Sequence, residues 1–126
     1  MKLLYAEDND NNVFLVTVRL GDIAGHQIVV ARDGAAVCDM AAAEQPDLIL
    51  MDLELPVISG WEAARRLKAR TDTASIPVIA LSAHALPDAR AAALAAGCDA
   101  FVTKPIDFNA LLGIIDRLTV DRAAAE

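Results

Sequence analysis

Aromatic residues are scarce in this chain: three Phe, one Trp and one Tyr make up 4% of its 126 residues. Yet 56% of the chain is hydrophobic, much of it alanine, so a full core is expected, built from closely packed helices with little bulk. That fraction also excludes a disordered tail. Basic residues are in short supply too. Eleven Lys and Arg against eighteen Asp and Glu leave a net charge of −7 and a pI near 4.7. This excludes a nucleic-acid surface, because phosphate backbones need clustered cations. Cysteine occurs twice, at Cys38 and Cys98, in neither a C-x-x-C pair nor a metal-ligand spacing, so both are expected as small buried apolar residues in a reducing compartment. Long apolar runs are missing. None approaches the ~20 residues needed to cross a bilayer, and the opening run is too short for a signal peptide. A cytoplasmic location is expected. There is no internal repeat, low-complexity stretch or linker, and the length suits one domain.

What is present is an alternation. Five short runs, Lys2 to Ala6, Gln27 to Ala31, Asp47 to Met51, Pro77 to Leu81 and Asp99 to Val102, are apolar on both faces, as strands covered by helices should be. Helical spacing fills the gaps. Val13, Val16, Leu20 and Ile23 form a stripe that Gly25 ends. Asp33 caps a second helix, limited by Pro46. Ser59-Gly60-Trp61-Glu62 is a capping-box pattern, with Ala64 and Leu67 facing inward. Pro87-Asp88 opens an alanine-rich helix that stops at Gly97. Asp107 caps the last, where Leu111, Ile115 and Leu118 align. Thr119 to Glu126 are expected to fray, with residues 1–120 as the domain and 121–126 as a short polar tail. This (βα)5 pattern predicts an α/β fold, a doubly wound parallel sheet of flavodoxin-like type with strand order 2-1-3-4-5. In that order strands 1 and 3 are neighbours at the switch point, where ligands bind beyond the carboxyl ends of the strands.

Four charged groups stand just past these runs: Glu7 and Asp8 after the first, Asp52 after the third, and Lys104 after the fifth. Three acids in one place repel and ask for a divalent cation. Mg2+, which keeps several waters and takes few carboxylates, suits Glu7, Asp8 and Asp52 with a backbone carbonyl, that of Glu54 being two residues on. A lysine beside them asks for an anion that the cation would share, and a phosphoryl group meets both demands. Ser82, past the fourth run, could donate a hydroxyl to it. The sequence leaves open whether the Lys104-Pro105 bond is cis.

Four segments carry a resemblance: Tyr5-Ala6-Glu7-Asp8-Asn9, Leu50-Met51-Asp52-Leu53-Glu54-Leu55-Pro56, Ile79-Ala80-Leu81-Ser82-Ala83 and Phe101-Val102-Thr103-Lys104-Pro105-Ile106. In this order, spread over almost the whole chain, they resemble the response-regulator receiver domains of bacterial two-component signalling. The Glu-Asp-Asn start and the Ser-Ala-His-Ala run at 82 to 85 are most similar to stand-alone regulators of the DivK type and to receivers of hybrid kinases. The resemblance implies Asp52 as phosphoacceptor, with Glu7, Asp8, Asp52 and the Glu54 carbonyl on Mg2+, and Lys104 on the phosphoryl group. It implies Ser82 and Phe101 as the moving parts of a switch, and Glu54 and His84 as candidates for tuning the phosphoryl lifetime. The implied donor is a sensor histidine kinase or a histidine phosphotransfer protein. The implied output is a protein target that reads the last two helices and the fifth strand.

The chain departs from the commonest family pattern in places. Ser stands at 82 where Thr is frequent, and Phe at 101 where Tyr is frequent. Leu55, Ile58 and Ser59 also differ, which bears on partner recognition more than on chemistry. A Mg2+-dependent phosphatase with an aspartyl nucleophile would typically show Asp-x-Asp, whereas this chain has Asp52-Leu53-Glu54. A purely structural pseudo-receiver is disfavoured by the intact acids and lysine. Met1 and the short tail suggest a stand-alone protein; the alternative is a receiver excised from a longer regulator or hybrid kinase.

Overall fold

A computed structural model describes residues 1–83 and 87–125, with side chains through residue 120. Its elements alternate: β1 (Lys2–Ala6), α1 (Asp10–Val16), β2 (Gln27–Ala31), α2 (Gly34–Glu44), β3 (Leu48–Asp52), α3 (Gly60–Ala69), β4 (Val78–Ser82), α4 (Pro87–Ala95), β5 (Ala100–Thr103) and α5 (Phe108–Ala125). The five strands form one parallel sheet in the order β2-β1-β3-β4-β5. This is the expected flavodoxin-like architecture, with β1 and β3 adjacent.

The pleat sorts the apolar strand residues into two cores. Leu4, Ala6, Ile49, Met51, Val78 and Ala80 face α2, α3 and α4, meeting Val37, Ala41, Ala63, Ala64, Leu67 and Ala93. Leu3, Tyr5, Leu48, Leu50, Ile79 and Leu81 face α1 and α5, meeting Val16, Leu20, Leu111 and Ile115. Both faces are therefore dry, which is why these strands carry no polar alternation. Cys38 and Cys98 are free and buried, as expected.

Caps set the helix starts. Asn9 accepts from the Asn12 N–H, Asp33 from Ala36, Ser59 from Glu62 and Asp107 from Ala110. Gly60 does more than begin α3. A Cβ there would lie 2.5 Å from the Asp52 carbonyl oxygen and 2.6 Å from Leu53 Cα, so only glycine lets α3 press on the backbone that carries Asp52.

Two expectations are corrected. After Val16 the first helix widens into a π-helical stretch, Thr17–Ile23. The wider turn breaks the 3.6-residue stripe. Val16 and Leu20 stay buried, but Ile23 is 71% exposed instead of inward. At the other end, α5 continues to Ala125, through the stretch expected to fray.

Candidate functional site

The ladders bring the charged residues together. Ala6 pairs with Met51, so Glu7 and Asp52 are the next residues on adjacent strands. Asp52 pairs with Leu81, and Ser82 with Thr103, so Lys104 leaves the sheet beside them. The Lys104 N–H donates to the Ser82 carbonyl at 2.8 Å and fixes that exit. The Lys104-Pro105 bond is cis. Asp52 is the last residue of β3, one place deeper than the sequence pattern suggests, and is only 4% exposed.

Carboxylate oxygens of Glu7, Asp8 and Asp52 lie within 4.8 Å of one another. The Lys104 ammonium donates to Asp52 Oδ2 at 3.0 Å and stands 3.6 Å from Glu7 Oε2. On the other side of Asp52, the Glu54 N–H donates to Oδ1 at 2.9 Å, a local bond between residues i and i+2 that restrains the carboxylate. Ser82, fully buried, donates its hydroxyl to Glu54 Oε1 at 3.3 Å. Phe101 on β5 is half-buried and packs against the core under α2, α3 and α4. His84 lies outside the described residues.

One site residue escaped the sequence pattern. The Asn12 amide donates to Glu7 Oε1 at 2.6 Å. Its signal was the Asn9 cap, which turns the first helical turn, and with it Asn12, back over the Glu7 loop.

The electrostatics follow from burial and crowding. Burial, then the neighbouring Asp52 carboxyl, push Glu7 up to about 7, against the pull of Asn12 and Lys104. For Asp52 burial is again the largest influence and acts upward. Hydrogen bonds from the Glu7 carboxyl, the Glu54 N–H and the Lys104 ammonium outweigh it and hold Asp52 below its ordinary value. Lys104 is raised: burial opposes its charge, but its bond to Asp52 and the surrounding carboxylates prevail. A proton shared between Glu7 and Asp52 therefore rests on Glu7.

Glu7 Oε2 is buried and, among the described residues, receives no N–H or O–H. It is an oxygen that a proton or a cation completes, and with Asp8 exposed beside it the donor set is all oxygen. That set fits a hard cation of the Mg2+ class, which takes oxygen ligands, carboxylates among them, and retains several waters.

The comparisons agree with this geometry. Residues 3–116 match the family described as the response regulator receiver domain. The polar-differentiation response regulator DivK of Brucella anthropi is 36% identical over 104 residues, covering 82% of this chain and 84% of that protein. The receiver domain of a sensor histidine kinase from Pseudomonas aeruginosa PAO1 superposes with a TM-score of 0.87 at 32% identity, covering 94% of this chain and 96% of that one. That structure has a magnesium ion coordinated in its active site cleft. A receiver domain of a histidine kinase from Syntrophus aciditrophicus gives a TM-score of 0.87 at 29% identity, covering 95% and 90%. Among the described residues no helix is long and apolar enough to cross a membrane.

Proposed function

This chain belongs to the response regulator receiver domain family, and from that premise we propose that it is a cytoplasmic phosphorylation switch whose phosphoacceptor is Asp52. The observation that carries the proposal is convergence: an ammonium, a backbone N–H and two further carboxylates all gather on this one buried carboxylate. Glu7, Asp8 and Asp52, with the Glu54 carbonyl, would hold Mg2+. When bound, the cation supplies the positive charge that lets a carboxylate and a phosphoryl group approach each other.

The chain's own residues do the rest. An Asp52 oxygen attacks phosphorus in a phosphohistidine; a P–O bond forms, the P–N bond breaks and its electron pair returns to the imidazole. Lys104, already aimed at Asp52, follows the charge onto a phosphoryl oxygen. Ser82 turns its hydroxyl toward the same group, and Phe101 moves into the space Ser82 leaves. A ligand shifts a two-state equilibrium only through contacts that differ between the states, and the Ser82 bond is that contact. Helix α4 buries only Ala93, so its displacement costs little packing. The surface that changes is α4, β5 and α5, read by a protein target.

The donor is a sensor histidine kinase or a histidine phosphotransfer protein. The unit is residues 1–120, and it acts as a phosphoacceptor, not a turnover enzyme. Exposure to acetyl phosphate with Mg2+ tests the proposal: intact-mass measurement should show one added phosphoryl group, absent with chelator and absent in Asp52→Asn. Equal labelling of Asp52→Asn would overturn it.

A further inference from the structure

We propose that the Glu54 carboxylate is a latch that holds the Ser82 hydroxyl in the resting conformation, so that the side chain at position 54 sets how readily the switch responds. This inference rests on the roles of Asp52 and Ser82 proposed above. Ser82 closes β4, is fully buried, and donates to Glu54 Oε1 at 3.3 Å. A serine hydroxyl has one proton to donate. A phosphoryl group on Asp52 brings new acceptor oxygens to this pocket, and the hydroxyl cannot serve them while it serves Glu54. The two acceptors therefore compete for one proton, and the Ser82–Glu54 bond counts only in the resting state.

The position of Glu54 makes the latch local to the event it opposes. Its backbone N–H donates to Asp52 Oδ1 at 2.9 Å, so one residue grips both the phosphoacceptor and the switch hydroxyl. The grip on Asp52 is main-chain and survives every substitution at position 54 except proline. The grip on Ser82 is side-chain and does not. Because Glu54 is exposed, its truncation opens no core. An ionised carboxylate here also repels an incoming phosphoryl group, an effect independent of Ser82, and the test must separate the two.

Beryllofluoride with saturating Mg2+ serves as the phosphoryl probe, followed by the amide resonances of Ser82 and Phe101. Glu54→Ala should bind it more tightly than wild type by about 2- to 10-fold, the range of one net hydrogen bond. Glu54→Gln, which keeps a neutral acceptor, should fall between. In a Ser82→Ala background the same Glu54→Ala change should lose the part of its gain that depends on the hydroxyl. An equal gain in both backgrounds, or no gain in either, overturns the latch. If wild type ignores beryllofluoride, or Asp52→Asn responds as wild type does, the phosphorylation reading itself has failed. If wild type responds through Asp52 but Glu54→Ala leaves its affinity unmoved, the latch alone has failed.

Discussion

Mg2+ affinity should rise steeply with pH through neutrality, because the cation and a proton compete for Glu7. Glu7 is 1% exposed, faces Asp52, and is pushed from 4.5 up to about 7. Proton competition scales the apparent dissociation constant by one plus the ratio of protonated to free carboxylate. A group titrating near 7 makes that factor about 11 at pH 6 and about 1.1 at pH 8, a change of roughly tenfold. An ordinary glutamate at 4.5 would change it by only about 3% over the same range. Calorimetric titration with MgCl2 at the two pH values, at constant ionic strength, reads this directly. Glu7→Gln should bind more weakly and lose the pH dependence. The same shift acts on stability. A folded value above the unfolded one contributes stability that is present below about 4.5 and lost as pH rises through about 7. Mg2+ should therefore raise the melting temperature more at pH 8 than at pH 6. A flat affinity between the two would refute the crowded, proton-holding Glu7 described here.

Other outcomes follow from single contacts. Gly60→Ala places a Cβ 2.5 Å from the Asp52 carbonyl oxygen, against backbone rather than a flexible side chain. It should cost about 1–3 kcal/mol in urea unfolding and weaken Mg2+ binding with it. Val57 has φ of +70° at the centre of a tight turn closed by the Ile58 N–H to the Pro56 carbonyl at 2.9 Å. Val57→Gly removes that left-handed penalty at the expense of chain entropy, and should stabilise by about 0.5–1 kcal/mol. Lys68 donates to the Ala74 and Ile76 carbonyls and to Asp99 at 3.3, 2.8 and 3.1 Å, tying the end of α3 to the entry of β5. Lys68→Met should lower the melting temperature, with a cost of about 1–3 kcal/mol for the acceptors left behind.

Much of this was legible in the sequence, for a physical reason. Strands buried on both faces must be apolar throughout, so five short apolar runs gave away the sheet. Its strand ends follow to within one residue, and β1 and β2 match at both ends. The parallel order then forces Glu7, Asp8, Asp52 and Lys104 to one edge, and they meet there. What stayed hidden depends on contacts between elements. The π-helical stretch at Thr17–Ile23 keeps an apolar stripe that looks like ordinary helix, and Ile23 comes out exposed only because the turn is wider. Asn12 reaches Glu7 through the geometry of a capped turn that spacing alone does not specify. The bond from Ser82 to Glu54 joins the last residue of β4 to the loop after β3, and neither residue type announces it.

The central claim is that phosphoryl transfer ends on one carboxylate, Asp52, and chemical trapping tests it most directly. Protein treated with acetyl phosphate and Mg2+ is reduced with borohydride, which converts an aspartyl phosphate to homoserine, and is then sequenced by mass spectrometry. Homoserine at position 52, dependent on Mg2+, is the expected result. A phosphoryl group that resists borohydride, or homoserine at Asp8 or another acid with position 52 intact, would contradict it.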